Sequence, residues 1–179
     1  MKPQSLIIAI TIFIITSVHA HEHKANHTHK KHTHEAHVHG EAELNIAFDN
    51  LNGVIEFKSP AESVLGFEHQ AKSSEDKKKL ANSIQIFKDK INDMIKFNSS
   101  LACKIESEKI EQVVQKKSKH SDFLARYKAT CDKSIEQSSL NIDFSMFDHI
   151  NKMNITLLVG TLQKSVEYKK GDKLNIELK

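Results

Sequence analysis

Helical spacing dominates one long stretch of this chain and almost nothing else. Leu80, Ile84, Phe87, Ile91 and the pair Met94/Ile95 recur every three or four positions and form one apolar stripe over residues 74–97. Ser73 with Asp76 three residues on is a capping-box start, and Glu75 is favourable near the positive end of the helix dipole. The segments on either side alternate instead. Leu44, Ile46 and Phe48 are separated by polar residues, residues 49–53 carry turn chemistry, and Ile55 and Phe57 resume the alternation until Ser59-Pro60. Further alternating segments lie at 101–106, 122–131, 140–144, 153–159, 164–168 and 174–178, with Lys170-Gly171-Asp172 as a turn between the last two. A short helix is expected over 144–151, around Phe147 and Ile150. The order predicts an α+β domain over 37–179: an antiparallel sheet with one long covering helix, preceded by a disordered His-rich segment.

The first twenty residues read as a cleaved signal peptide. Lys2 supplies the positive end, residues 6–15 are apolar but for one threonine, and Val18-His19-Ala20 places small residues where a signal peptidase reads. The apolar run is too short to span a bilayer, which takes about 20 residues. Export predicts that Cys103 and Cys131, the two cysteines, form a disulfide. A two-cysteine metal site fits less well, because exposed thiols oxidise in such a compartment. The formal net charge is +3, with lysines spread along the chain beside acids, so no nucleic-acid partner is implied. Lys77, Lys78 and Lys79 read as the solvated face of the helix.

Directly behind the signal stand four His-x-His pairs: His21/His23, His27/His29, His32/His34 and His37/His39. Eight of the twelve histidines fall within residues 21–39. Residues 21–36 have almost no large apolar side chains and are expected to be disordered without metal. Imidazole is the commonest protein metal ligand, and nitrogen ligands suit zinc, copper and nickel. In an extended chain residues i and i+2 project to the same side, so one pair can present two imidazoles to one ion. Two pairs complete a tetrahedral zinc shell. Such a tract favours capture and hand-over of several ions. Residues 21–23 leave two readings open. If cleavage follows Ala20, the free amine, two backbone nitrogens and the His23 ring make a square-planar set suited to Cu2+ or Ni2+. Otherwise His23 is one more member of the tract.

Three histidines fall later, His69, His120 and His149. His37 and His39 abut the first strand at Gly40, so the expected ordered site centres on His37 and His39, joined by His120 and then His69. Glu68 and Asp122 are candidate carboxylate ligands, or hydrogen-bond partners of the neighbouring imidazoles.

These residues also carry a resemblance. The run His37-Val38-His39-Gly40-Glu41-Ala42-Glu43-Leu44-Asn45 resembles the opening of the ZrgA family of bacterial periplasmic zinc-binding proteins. Ser59-Pro60-Ala61 followed by Gly66-Phe67-Glu68-His69 is similar to its next landmark, and Cys103, His120-x-Asp122, Tyr127 and Cys131 continue the pattern over roughly residues 35–179. Ser63 departs from it, standing where asparagine is expected, and residues 107–119 fit loosely. The resemblance implies a periplasmic protein of a Gram-negative cell that binds Zn2+ and assists a zinc ABC transporter, through the transporter's solute-binding component.

The competing class is sequestration or detoxification of copper or nickel, which the amino-terminal geometry favours. A surface protein cross-linked by metal is a third. An enzyme is not expected: there is no His-Glu-x-x-His, no serine nucleophile motif and no glycine-rich phosphate loop. Neutral imidazole binds metal and its unperturbed pKa is about 6.5, so capture by the tract is expected to fail below about pH 5.5. Zinc stoichiometry measured near pH 7 and again near pH 5 checks this, and an unchanged value refutes it.

Overall fold

The computed structural model describes residues 38–115 and 119–179. The expected signal peptide, the tract through His34, and His37 lie outside the described residues. Two strands open the fold, β1 (Glu41–Asp49) and β2 (Asn52–Pro60). In β1 the alternation is complete: Ala42, Leu44, Ile46 and Phe48 are buried, and Glu43, Asn45 and Ala47 face solvent. The turn between the strands holds Asn50 at φ 55, a conformation asparagine tolerates better than most residues. Gly53 has a separate reason: a Cβ there would meet the Phe48 ring at 2.4 Å.

A short helix, α1 (Ala61–Leu65), and the long helix α2 (Ser74–Met94) follow. Then come β3 (Ile95–Phe97), β4 (Lys104–Val114), β5 (Ser121–Thr130), β6 (Ser139–Ile142), β7 (Lys152–Val159), β8 (Leu162–Lys169) and β9 (Leu174–Glu177). One sheet has six strands in the order β4-β5-β2-β1-β7-β8, and a second has three in the order β3-β6-β9.

This overturns the α+β expectation. Among the described residues there are nine strands in two sheets and a single long helix, and the fold is mainly β. The sheet is also not purely antiparallel, because β1 runs parallel to β7, with Leu44 opposite Ile155. Alternation marks a strand but is silent on its partner, so neither the second sheet nor the parallel pair could be read from it. The long helix stops three residues early. Ile95 turns extended (φ −129) and pairs with Ile142, so the last apolar positions of the stripe serve a strand. Residues 144–151 are not helical: Phe147 N–H donates to Phe144 O and Ile150 N–H to Phe147 O, single turns that bury Phe144, Phe147 and Ile150. Helix α1 was unforeseen, and β4 extends eight residues past the expected end at 106, to Val114.

One core cluster joins both sheets and α2. Phe57 of β2 stacks on Phe144 with ring centres 5.4 Å apart and meets Phe87 of α2 at 5.0 Å, while Phe87 meets Phe123 of β5 at 4.8 Å. Tyr127 O–H donates to Phe87 O at 3.1 Å, tying helix to sheet by a buried hydrogen bond, and burial pushes the phenol pKa well up. The expected disulfide, Cys103–Cys131, is present and joins the start of β4 to the end of β5. Among the described residues no helix is long and apolar enough to cross a membrane.

Phe87 touches rings from both β2 and β5, so Phe87→Ala is expected to cost about 3–5 kcal/mol, against about 1 kcal/mol for Tyr127→Phe, which keeps the ring and loses one hydrogen bond. Urea unfolding of the two variants checks the order, and equal losses would contradict it.

Candidate metal centre

Three segments meet at the end of the large sheet where β1 begins and β2 ends. The first is the corner before β1. Gly40 adopts φ +79, and its carbonyl accepts from Asn151 N–H (2.8 Å) and Lys152 N–H (3.0 Å) at the start of β7. Its own N–H donates to the buried Ser63 Oγ at 3.2 Å. His39 therefore sits on a corner whose backbone is held from two sides. Ser63 supplies one of those holds.

The second segment is α1 and the loop after it. The helix ends at Gly66, in the left-handed conformation (φ 76), and the chain turns into Phe67-Glu68-His69. The third is the β4–β5 hairpin, where Gln115 N–H donates to His120 O at 3.2 Å.

Glu68 is where they converge. Its Oε1 lies 2.9 Å from His39 Nε2, and its Oε2 contacts His120 Nδ1. The other nitrogen of His39, Nδ1, lies 3.2 Å from Glu62 Oε2 on α1. Two imidazoles that are distant in sequence share one carboxylate, and a second carboxylate backs the first imidazole. A ring that ligates a metal through one nitrogen commonly gives its other N–H to a carboxylate, which fixes tautomer and orientation. His39 is arranged for that role, with Glu62 behind it and Nε2 pointing at the shared space. The cluster is open to water: the His39 side chain is 58% exposed and that of His120 51%.

Among the described residues no group of three or more His, Cys, Asp or Glu side chains is placed so as to hold a metal ion. The Glu68 carboxylate stands between the imidazoles and bonds both. His39, His120 and Glu68 are nonetheless the donor types that suit zinc.

The remaining candidates are placed elsewhere. His69 is engaged with other partners, its Nε2 3.2 Å from Asp76 Oδ2 and its ring 4.9 Å from that of Phe67. Asp76 belongs to the capping box of α2: its N–H donates to Ser73 Oγ at 3.0 Å, and its Oδ2 accepts from Ser73 N–H at 3.4 Å. His69 thus braces a helix start. Asp122 is buried at the start of β5, where its Oδ2 accepts from Gln115 Nε2 at 3.3 Å. His149 is exposed on the turns before β7. His21, His23, His27, His29, His32, His34 and His37 lie outside the described residues. Sequence reasoning missed Glu62, because the helix that aims it at His39 was itself unforeseen.

With this geometry in view, the comparison with protein families is decisive. Residues 36–175 match the model described as ZrgA family zinc uptake protein. The chain belongs to the ZrgA family. A comparison with curated proteins gave no significant match. The family is one of zinc uptake and is not a known enzyme family.

Hydrogen bonds from Ser73 first, and then from His69, hold the Asp76 carboxyl below the ordinary carboxylate range. A carboxyl whose pKa is lower folded than unfolded contributes stability that is complete above the unfolded value, about 3.9, and is lost as pH falls through the folded one. Asp76→Asn is therefore expected to flatten the acid side of the stability profile of the metal-free protein. Urea midpoints followed from neutral pH down to about pH 3 check this, with equal acid slopes counting against it.

Proposed function

We propose that this protein captures zinc in the periplasm and passes it to a zinc ABC transporter through the transporter's solute-binding component. The tract at residues 21–36 is the loading region, and His39, Glu68 and His120 form an ordered receiving site. The observation that carries this reading is the meeting of His39 and His120 on one carboxylate, with His39 three residues past the end of the tract at Ala36. His37 lies between tract and site, at the right place in sequence to take part in the exchange.

The two tiers differ in physical character. Free His-x-His pairs exchange ions between neighbours with little strain. An imidazole pair on a braced backbone has less entropy left to lose when it binds, so it holds one ion more tightly. Three protein ligands leave an open fourth position, which is what a carrier needs, because an incoming ligand can attack before the old ones leave. Glu68 serves as co-ligand, and Glu62 orients His39.

Replacing His21, His23, His27, His29, His32 and His34 by serine is expected to lower zinc stoichiometry and leave one tighter ion. Adding His39→Ala or His120→Ala to that protein is expected to weaken this ion by about tenfold or more. Competition titration reads both. Loss of all binding in the tract variant sinks the two-tier scheme, and an unchanged tight ion in both alanine variants sinks the ordered site. The transporter role stands or falls on zinc transfer to the solute-binding component: a rate no faster than loss to a free chelator would remove it.

A further inference from the structure

The loop that carries Glu68 is gripped by two side chains that take no part in the cluster itself. Ser121 Oγ donates to Glu68 O at 2.6 Å. Gln112 Nε2 donates to Ser121 Oγ at 2.7 Å and to His69 O at 2.8 Å, and its Oε1 accepts from Ala71 N–H at 3.0 Å. Both donors and the acceptor of one amide are spent on this grip. The backbone at residues 68, 69 and 71 is thereby fixed to the β4–β5 hairpin. Ser121 is 2% exposed, so its hydroxyl works out of water, where losing it leaves Glu68 O and the Gln112 amide without their partner.

The placement matters more than the number of bonds. Ser121 follows His120 directly, and Gln112 pairs with Phe123 across the same hairpin. His120 meets the Glu68 carboxylate while Ser121 holds the Glu68 carbonyl, so adjacent residues grip Glu68 at both ends. A loop has no ladder of its own to set such a separation. Here the hairpin that brings the imidazole also sets the position of the carboxylate.

We infer that Gln112 and Ser121 are positioning residues for zinc binding: they hold the Glu68 loop at the spacing that lets Glu68, His120 and His39 act on one ion. This deepens the ordered-site reading and rests on it. Outer partners of metal ligands typically change affinity by about 10–100-fold when removed.

The experiment uses the full chain with the six tract histidines from His21 to His34 replaced by serine, so that the tight ion is read alone. Into it go Ser121→Ala, Ser121→Thr, Gln112→Glu, His39→Ala and His120→Ala. Zinc affinity is read by chelator competition, the visible spectrum of bound Co2+ reports the ligand geometry, and the metal-free unfolding midpoint reports the fold. Ser121→Ala and Gln112→Glu are expected to weaken zinc by about tenfold and alter the Co2+ spectrum, while Ser121→Thr, which keeps the hydroxyl, stays within about threefold of its parent. Gln112→Glu keeps the acceptor for Ala71 N–H and loses both donors, so it separates the grip from simple loss of bulk.

Unchanged affinity in both Ser121→Ala and Gln112→Glu, with His39→Ala and His120→Ala weakened, overturns this inference and spares the site. Unchanged affinity in the two histidine variants overturns both. Weakening that appears only where the metal-free fold collapses, or that Ser121→Thr fails to reverse in a stable protein, also overturns it, because a missing hydroxyl is then not the cause.

Discussion

The parallel pairing of β1 with β7 is the constraint on which the rest of the molecule depends. β1 lies inside the large sheet, with β2 on one side and β7 on the other, so its backbone polar groups are spent on both neighbours. A parallel partner cannot come from a hairpin. The chain between Asp49 and Lys152 must leave, build β2, α2, β4, β5 and two strands of the small sheet, β3 and β6, and return. Its return brings Asn151 and Lys152 against Gly40, which fixes the corner that carries His39. The same returning segment brings Phe144 onto Phe57, so the closing of the sheet and the filling of the core are one event.

The candidate metal centre follows from that frame. Strands end together at one edge of the sheet, and what projects there are loops: the corner before β1, the stretch after α1, and the β4–β5 hairpin. Loops carry side chains into water, where ions can reach them, and they need outside support to hold a geometry. Support comes from Ser63 beneath His39, and from Gln112 and Ser121 beneath Glu68. A half-exposed cluster suits the carrier role proposed above. A fully buried one would bind an ion and then hinder its release.

Much of the scaffold was legible in the residues, and the failures have physical causes. The start of α2 was readable because a capping box is a local pattern, and the box is present. Its end was not, because Ile95 and Phe97 satisfy a helical stripe and a strand equally well, and pairing with β6 decided between them. Phe147 and Ile150 have helical spacing, yet two successive turns bury them just as fully. The expected strand stopped at 106, although β4 runs on to Val114. β4 is an edge strand with much of its length in solvent, where polar alternation has no apolar face to reveal it.

What the amino-acid order settled alone is the chemistry on offer. A run of His-x-His pairs, a pair of cysteines and landmark residues of a zinc uptake family are all local or compositional facts. Tertiary structure decided which of those groups meet. His39, Glu68 and His120 lie in three segments with no sequence relation, and His69 stands beside Glu68 in the chain yet braces Asp76 instead. The reason is that side-chain spacing encodes only the near neighbours along an element, whereas a site built from loops is set by which strands pair, and that is chosen by the whole core at once.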